Sequence, residues 1–197
     1  MPHLPLNIDM HGRTALVVGG GPVARRKVKT LLDSGAHVNV VALSLDHDLA
    51  ELWASAGVSV RLSPFEPADL EGVFLAIAAT DDAETNNRVA REARQRDILV
   101  AVADAPDSGN CTFPAILRRG ALEIAVSTGG RCPAFAVLVR DCIARLLGDD
   151  YGVALEQLAA AREKLLTEGN CSTYNAKIVR ALAQRLIEEL SDHKDVA

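Results

Sequence analysis

The first half of the chain predicts an α/β fold built on a doubly wound parallel sheet, and three observations carry that prediction. Short, unbroken apolar runs recur, as in ALVV, FLAIA and ILVAVA, which is the pattern of strands buried on both faces. Amphipathic stretches of helical period separate them. A glycine cluster at 19–21 follows the first run directly.

In chain order, Arg13 to Val18 reads as a strand, Gly21 to about Asp33 as a helix, His37 to Val41 as a strand and Ser44 to about Ala56 as a helix. Val58 to Arg61 is a short strand and Val73 to Ala78 a buried one. Asp82 to about Arg96 is a polar-faced helix, and Ile98 to Ala103 another buried strand. Strands alternating with helices in this way make crossover units and a parallel sheet. Past Pro106 the texture changes. A polar loop DSGN leads through CTFPAILRRG to an alternating strand at Leu122 to Ser127, then a turn TGGRCP and a helix from about Ala134 to Leu147. A domain boundary is expected near residues 110–115. From Tyr151 the pattern is helical, broken at Gly169 and Asn170, with Ser172 placed to cap a last helix ending near Leu190.

A chain of 197 residues that is 49% hydrophobic can fill a core. No stretch approaches the roughly 18 uninterrupted apolar residues of a membrane helix, and MPHLPLNIDM lacks a basic region followed by an apolar one. A soluble, cytoplasmic protein with no membrane partner is expected. Cys111, Cys132, Cys142 and Cys171 show no CxxC spacing, so reduced thiols are the default. His3, His11, His37, His47 and His193 form no ligand constellation, and no metal-binding residue is assigned. The net charge of −5 argues against a nucleic-acid partner. Basic residues nevertheless cluster at Arg25, Arg26 and Lys27 and again at Arg118, Arg119, Arg131 and Arg140. That combination suits a small polyanionic ligand.

The motif VVGGGPVARRK satisfies G-x-G-x-x-G/A with Gly19, Gly21 and Ala24, directly after a strand and at the start of a helix. Each position has a physical role. Gly19 makes a tight turn, Gly21 lets a pyrophosphate approach the backbone closely, and Ala24 is a small residue where helix meets strand. Pro22 suits the first helical turn, whose amides and dipole favour an anion. A Rossmann-like dinucleotide site follows. The acid expected roughly 20 residues on, to hold a ribose hydroxyl, is absent from HVNVVALS, and so is any arginine or lysine for a 2′-phosphate. An unneutralised phosphate is the worse mismatch, so NAD is the expected cofactor. Leu43 and Ser44 are the expected adenosine-ribose contacts, and Thr80 sits at a strand end that opens toward the cofactor.

The segments GGGPVARRK, LAIAATDDAETNNRVAREAR, VADAP, FPAILRRG and IAVSTGGRCPAFAVLVR together resemble the precorrin-2 dehydrogenase / sirohydrochlorin ferrochelatase family, which makes siroheme. The resemblance runs from His3 to about Leu147. It implies NAD-dependent oxidation of precorrin-2 to sirohydrochlorin, followed in some members by Fe²⁺ insertion at the same site. It further implies an intertwined homodimer with an NAD-binding Rossmann-like domain (1–112), a dimerisation region (113–148) and a small C-terminal helical domain (149–197). Carried onto this chain, the catalytic residue is Asp104 of the DAP motif, and the dinucleotide contacts are Gly21, Pro22 and Val23 with Leu43 and Ser44. Ser127, Thr128, Gly129 and Gly130 correspond to a glycine-rich turn lining the tetrapyrrole site, where Thr128 stands in place of the serine of some relatives. Cys132 stands where a small hydroxyl residue is common.

The implied chemistry explains a lone acid at a strand end. Removing a hydride to nicotinamide leaves a proton that needs a base, and one carboxylate beside the cofactor supplies it. Arg118, Arg119 and Arg131 are candidate clamps for the carboxylates of the macrocycle. The alternation of LEIAVS and the Phe135, Leu138 and Ile143 face of the next helix are expected to be buried across the dimer. A competing class is an NAD-sensing dimeric regulatory module without catalysis, which requires neither Asp104 nor the basic glycine-rich turn. A dehydrogenase of small hydroxy acids would want a histidine or lysine acid/base in the second half, and none is placed for it.

Overall fold

The computed structural model describes residues 3–56, 58–167 and 172–192. The chain divides into two compact units, Met1–Phe113 and Pro114–Ala197. In the first, strands β1 (Thr14–Val18), β2 (His37–Ala42), β3 (Ser59–Leu62), β4 (Leu75–Ala78) and β5 (Leu99–Val102) alternate with helices α1 (Pro22–Asp33), α2 (His47–Ala56) and α3 (Ala83–Arg94). The strands form one sheet in the order β3-β2-β1-β4-β5, and every pairing is parallel. Successive side chains of a strand face opposite ways, so the apolar runs divide into two cores. Ala15, Val17, Val38 and Val40 pack with Ala24, Val28 and Leu31 of α1. Leu16, Val18, Ala76 and Ala78 pack with Val89, Ala90 and Ala93 of α3. This is why the runs are unbroken.

Two local differences from the sequence reading have physical causes. Helix α2 begins at His47 and not at Ser44. The Asp46 amide donates to the Gly20 carbonyl (2.8 Å), which holds the intervening residues out of the helix. The Asp46 carboxylate then accepts from the Leu49 amide (2.7 Å) as an N-cap. The exposed edge of β5 is closed by a side chain, because Asn110 accepts from the Val100 amide (2.7 Å) and donates to the Ile98 carbonyl (3.0 Å). An open strand edge is thereby covered without another strand.

In the second unit CTFPAILRRG supplies β6 (Ala115–Arg119), which pairs antiparallel with β7 (Leu122–Val126). The two-residue connection starts at Gly120 with φ +55°, the left-handed backbone that tight hairpins require. Helices α4 (Pro133–Leu146), α5 (Asp150–Thr167) and α6 (Ser172–Asp192) follow. Arg119 reaches from β6 to donate to the Leu147 (2.9 Å) and Ala144 (3.1 Å) carbonyls, satisfying the carbonyls that the end of α4 leaves unpaired. Leu117 and Ala136 are the buried apolar side chains of this unit among the described residues. Gly169, Asn170, Cys171 and His193 lie outside the described residues, as does the Ser172 side chain assigned to a cap. Among the described residues no helix is long and apolar enough to cross a membrane.

One ionisable pair is built into the first core. The Lys27 ammonium lies 3.8 Å from the Phe113 ring centre. Burial pulls its pKa down from 10.5 to about 8, with Arg26 adding to the effect. Burial pushes the Cys111 thiol up from 9.0 to about 11, opposed by Lys27. Between pH 8 and 9 the unfolded chain holds the Lys27 proton more firmly than the folded one, so stability rises with pH; Cys111 opposes this only above its ordinary value. Wild type should therefore gain on the order of 1 kcal/mol relative to Lys27→Met from pH 8 to pH 9. Urea unfolding of both proteins at the two pH values checks it, and a gap that stays constant would refute it.

Candidate functional site

The strand order reverses between β1 and β4, and the crevice outside the carboxyl ends of the strands at such a point is where α/β sheets hold ligands. A cleft of about 960 Å³ occupies that place. All five strand ends contribute its walls: Gly19 to Gly21 after β1, Leu43 to Asp46 after β2, Ser63 to Phe65 after β3, Ala79 to Asp82 after β4, and Ala103 and Asp104 after β5. Gly19, Gly21, Pro22, Val23, Leu43, Ser44, Thr80 and Asp104, the cofactor and catalytic residues expected from the sequence, all line it.

The three glycines differ in what requires them. Gly19 has φ +133° and lies against the Ala79 carbonyl, so any Cβ there would collide with backbone. Gly20, which the sequence motif leaves unspecified, lies equally close to the Ser44 carbonyl. At Gly21 a Cβ would meet no protein atom within 4 Å, and its backbone, at φ −90°, is open to any residue. The fold does not need this glycine; a ligand approaching the backbone would. The amides of Val23 and Ala24 in the first turn of α1 have no intrahelical acceptor, which leaves them free for an anion. The residues present thus fit a dinucleotide.

Beyond Arg26 of α1, which the sequence reading placed in a basic cluster suited to a polyanion, these walls carry groups that were not anticipated, among them Asp46 and Arg88 of α3. Arg88 lies over the Phe65 ring at 5.7 Å. Arg25, by contrast, is paired with Asp48. At the start of α3 the Asp82 carboxylate accepts from the Thr85 amide (2.9 Å) and hydroxyl (2.5 Å). These bonds, the hydroxyl's above all, hold its pKa below the usual carboxylate value. Asn86 is the one buried polar side chain among the described residues, at 1% exposure. It donates to Asp104 (3.1 Å) and to the Thr80 carbonyl (3.0 Å) and accepts from the Thr80 amide (3.1 Å) and hydroxyl (2.8 Å). The signal for it was present: with Val89, Ala90 and Ala93 it continues the apolar stripe of α3.

The expected tetrapyrrole-binding residues belong to the second unit. Gly129 (φ +62°) and Gly130 (φ +80°) are consecutive left-handed positions, a conformation side chains resist. The Ser127 hydroxyl accepts from the Gly129 amide (3.1 Å) and the Thr128 hydroxyl from the Cys132 amide (3.2 Å), so the hydroxyl that Thr128 retains helps start α4. Arg118 pairs with Glu123 across the hairpin (2.5 Å), and Arg119 is committed to the end of α4. Arg131 carries no side-chain ion pair or hydrogen bond among the described residues. Cys111, Cys132 and Cys142 are free thiols. His47, Asp48 and Glu51 come together on the exposed face of α2, where Asp48 already holds Arg25.

A glycine turn leading into a helix beneath a cleft at the switch point defines a Rossmann-like NAD(P)-binding module. A family model described as "Putative NAD(P)-binding" matches residues 6–115, and one described as "Sirohaem biosynthesis protein central" matches 119–146. The chain belongs to the family of the N-terminal module of siroheme synthases. It is 45% identical over 165 residues to the siroheme synthase of Methylobacillus flagellatus, covering 83% of this chain and 35% of that protein. Siroheme synthase 1 of Pectobacterium atrosepticum is 43% identical over 169 residues, covering 85% and 35%. The chain thus spans about a third of the length of these relatives. Its fold matches the solved structure of "SirC, precorrin-2 dehydrogenase" with a TM-score of 0.78 at 24% identity, covering 96% of this chain and 100% of that one.

The glycines generate a paired test. Gly20→Ala should destabilise the protein by about 1–3 kcal/mol, the usual range for overpacking. Gly21→Asp should leave the unfolding midpoint near that of wild type and abolish dinucleotide binding, because its carboxylate projects where a pyrophosphate would lie. Thermal unfolding and calorimetric titration of both variants check this. A Gly21→Asp protein that binds dinucleotide normally would show that the cleft is not the site.

Proposed function

We propose that this chain oxidises precorrin-2 to sirohydrochlorin with NAD⁺ in siroheme biosynthesis. Its membership of the siroheme synthase family supports this reading, and one observation carries it: Asp104 sits on the wall of the dinucleotide cleft with one carboxylate oxygen fixed by Asn86. When bound, NAD⁺ accepts the hydride and its two electrons, becoming NADH. The proton released from the macrocycle in the same oxidation passes to Asp104, whose second oxygen has no hydrogen-bond partner among the described residues. The glycine turn and the α1 amides hold the pyrophosphate, and Leu43 and Ser44 flank the adenosine ribose. Insertion of Fe²⁺ as a second substrate also requires pyrrole protons to leave, and the same carboxylate can receive them. A purely NAD-sensing module has no use for an acid fixed in this way.

NAD is preferred to NADP on this reading because the end of β2 offers no cation to a 2′-phosphate. Arg26 and Arg88 elsewhere on the cleft wall make that preference worth measuring directly. Asp104→Asn is nearly isosteric and should fold and bind NAD as wild type does, while turnover falls on the order of 10²- to 10⁴-fold, as for the loss of a general base. Absorbance assays of precorrin-2 oxidation with NAD⁺ and with NADP⁺, with and without Fe²⁺, check both points. Wild-type turnover by the variant would sink the role of Asp104, and equal or faster turnover with NADP⁺ would sink the cofactor preference.

The tetrapyrrole carboxylates are assigned to the 127–130 turn and to Arg131, with Arg118 and Arg119 drawn toward structural duties. The division into a dimerisation region at 113–148 and a helical domain at 149–197 forms part of the proposal. Phe135 (58% exposed) and Leu138 (62% exposed) lie on a unit with little core of its own, and Ile143 is half-buried beside them. A second copy of the chain covers that face. Light scattering at micromolar concentration should therefore give the mass of a dimer, and a monomeric mass would count decisively against this arrangement.

A further inference from the structure

We infer that Asn86 is a positioning residue that sets the orientation of the Asp104 carboxylate before substrate arrives. The inference rests on the proposed role of Asp104 as the proton acceptor and names the group that makes a solvent-exposed acid usable. Asp104 follows β5 and Thr80 follows β4, and these strands are neighbours in the sheet with Ala78 opposite Val102. Asn86 rises from the buried face of α3 and bridges the two strand ends.

The direction of its amide is fixed by chemistry. The Thr80 backbone N–H can only donate, so the Asn86 atom 3.1 Å from it must be the oxygen. The Thr80 carbonyl can only accept, so the atom 3.0 Å from it must be the nitrogen. With the amide locked at both ends, its second N–H has one direction left, and Asp104 Oδ1 lies there at 3.1 Å. One oxygen of the acid is therefore tied to the strand ends, and the other has no hydrogen-bond partner among the described residues, on a residue that lines the cleft.

Holding a reacting group in place is worth much in rate, since a misplacement of about 1 Å can cost on the order of 10²-fold. A structural tie between strand ends makes a different prediction, and a double-mutant cycle separates the two. Asn86→Ser shortens the side chain and removes the donor to Asp104. Asn86→Asp keeps the volume and the acceptor for Thr80 but offers Asp104 an oxygen. Whichever variant melts within a few degrees of wild type carries the cycle.

Precorrin-2 oxidation by the full chain is measured for wild type, the Asn86 variant, Asp104→Asn and the double variant, with NAD affinity by calorimetry. The expected result is a fall in kcat of about 10- to 100-fold, with KM for precorrin-2 and Kd for NAD within about threefold of wild type. In the Asp104→Asn background the same change should alter the residual rate by less than about twofold. An equal loss in both backgrounds, an unchanged kcat, or a loss confined to KM or to NAD binding would overturn the inference. If Asp104→Asn alone retains wild-type turnover, the proposed function's assignment of the base fails, whatever Asn86 does.

Discussion

Everything about the cleft depends on backbone touching backbone at two glycines. The Ala79 carbonyl occupies the space a Cβ would need at Gly19, and the Ser44 carbonyl does the same at Gly20. These contacts bring the turns after β1, β2 and β4 together, and three hydrogen bonds of 2.8 Å seal them: Gly19 amide to Val41, Ala79 amide to Val18, and Asp46 amide to Gly20. A side chain at either glycine would wedge the turns apart. The floor of the cleft is consequently peptide backbone whose N–H groups at Gly19, Asp46 and Ala79 are paired, and the free donors beside it are the first-turn amides of α1.

The ends of β4 and β5 are joined by a single buried amide, that of Asn86. A polar side chain taken out of water is costly when its groups go unpaired, roughly 1–3 kcal/mol for each. Asn86 avoids that cost by using both acceptor sites and both donors. Because every one of its bonds is directional, it fixes more than stability. Thr80, expected from the sequence as a cofactor contact, shares its hydroxyl between Asn86 and the Asp82 backbone while still lining the cleft. The acid at Asp104 and the wall at Thr80 are thus set by one residue.

The parts of this protein that were legible in its sequence are those whose cause is local. Unbroken apolar runs report a sheet covered on both faces, and Gly21 with Pro22 reports a helix start facing an anion. What escaped reading has its cause elsewhere in the chain. Gly20 is required by the carbonyl of Ser44, which no motif at 19–24 encodes. The start of α2 slips to His47 because Asp46 is drawn to Gly20. The segment before Gly120 joins a hairpin because it faces LEIAV in register, although its own apolar pattern does not alternate. Asn86 is intermediate: its place in the apolar stripe of α3 is visible, while its partners at Thr80 and Asp104 appear only once the strands are ordered.

The arginines show most clearly why charge is hard to read from sequence. A cation in a basic cluster can serve a ligand, a helix end or a neighbouring acid, and composition treats the three alike. Here Arg119 satisfies carbonyls at the end of α4, a role set by a helix that lies downstream of it. Arg118 is opposite Glu123 because the hairpin register puts it there, and so much of its charge is answered across the strand pair. Arg25 is likewise paired with Asp48, in the first turn of a different helix. Arg26 and Arg88 stand instead on the walls of the dinucleotide cleft, and Arg131 follows the two left-handed glycines at 129 and 130. A net charge of −5 is therefore compatible with local positive charge, because the place of each arginine follows from the fold and not from abundance.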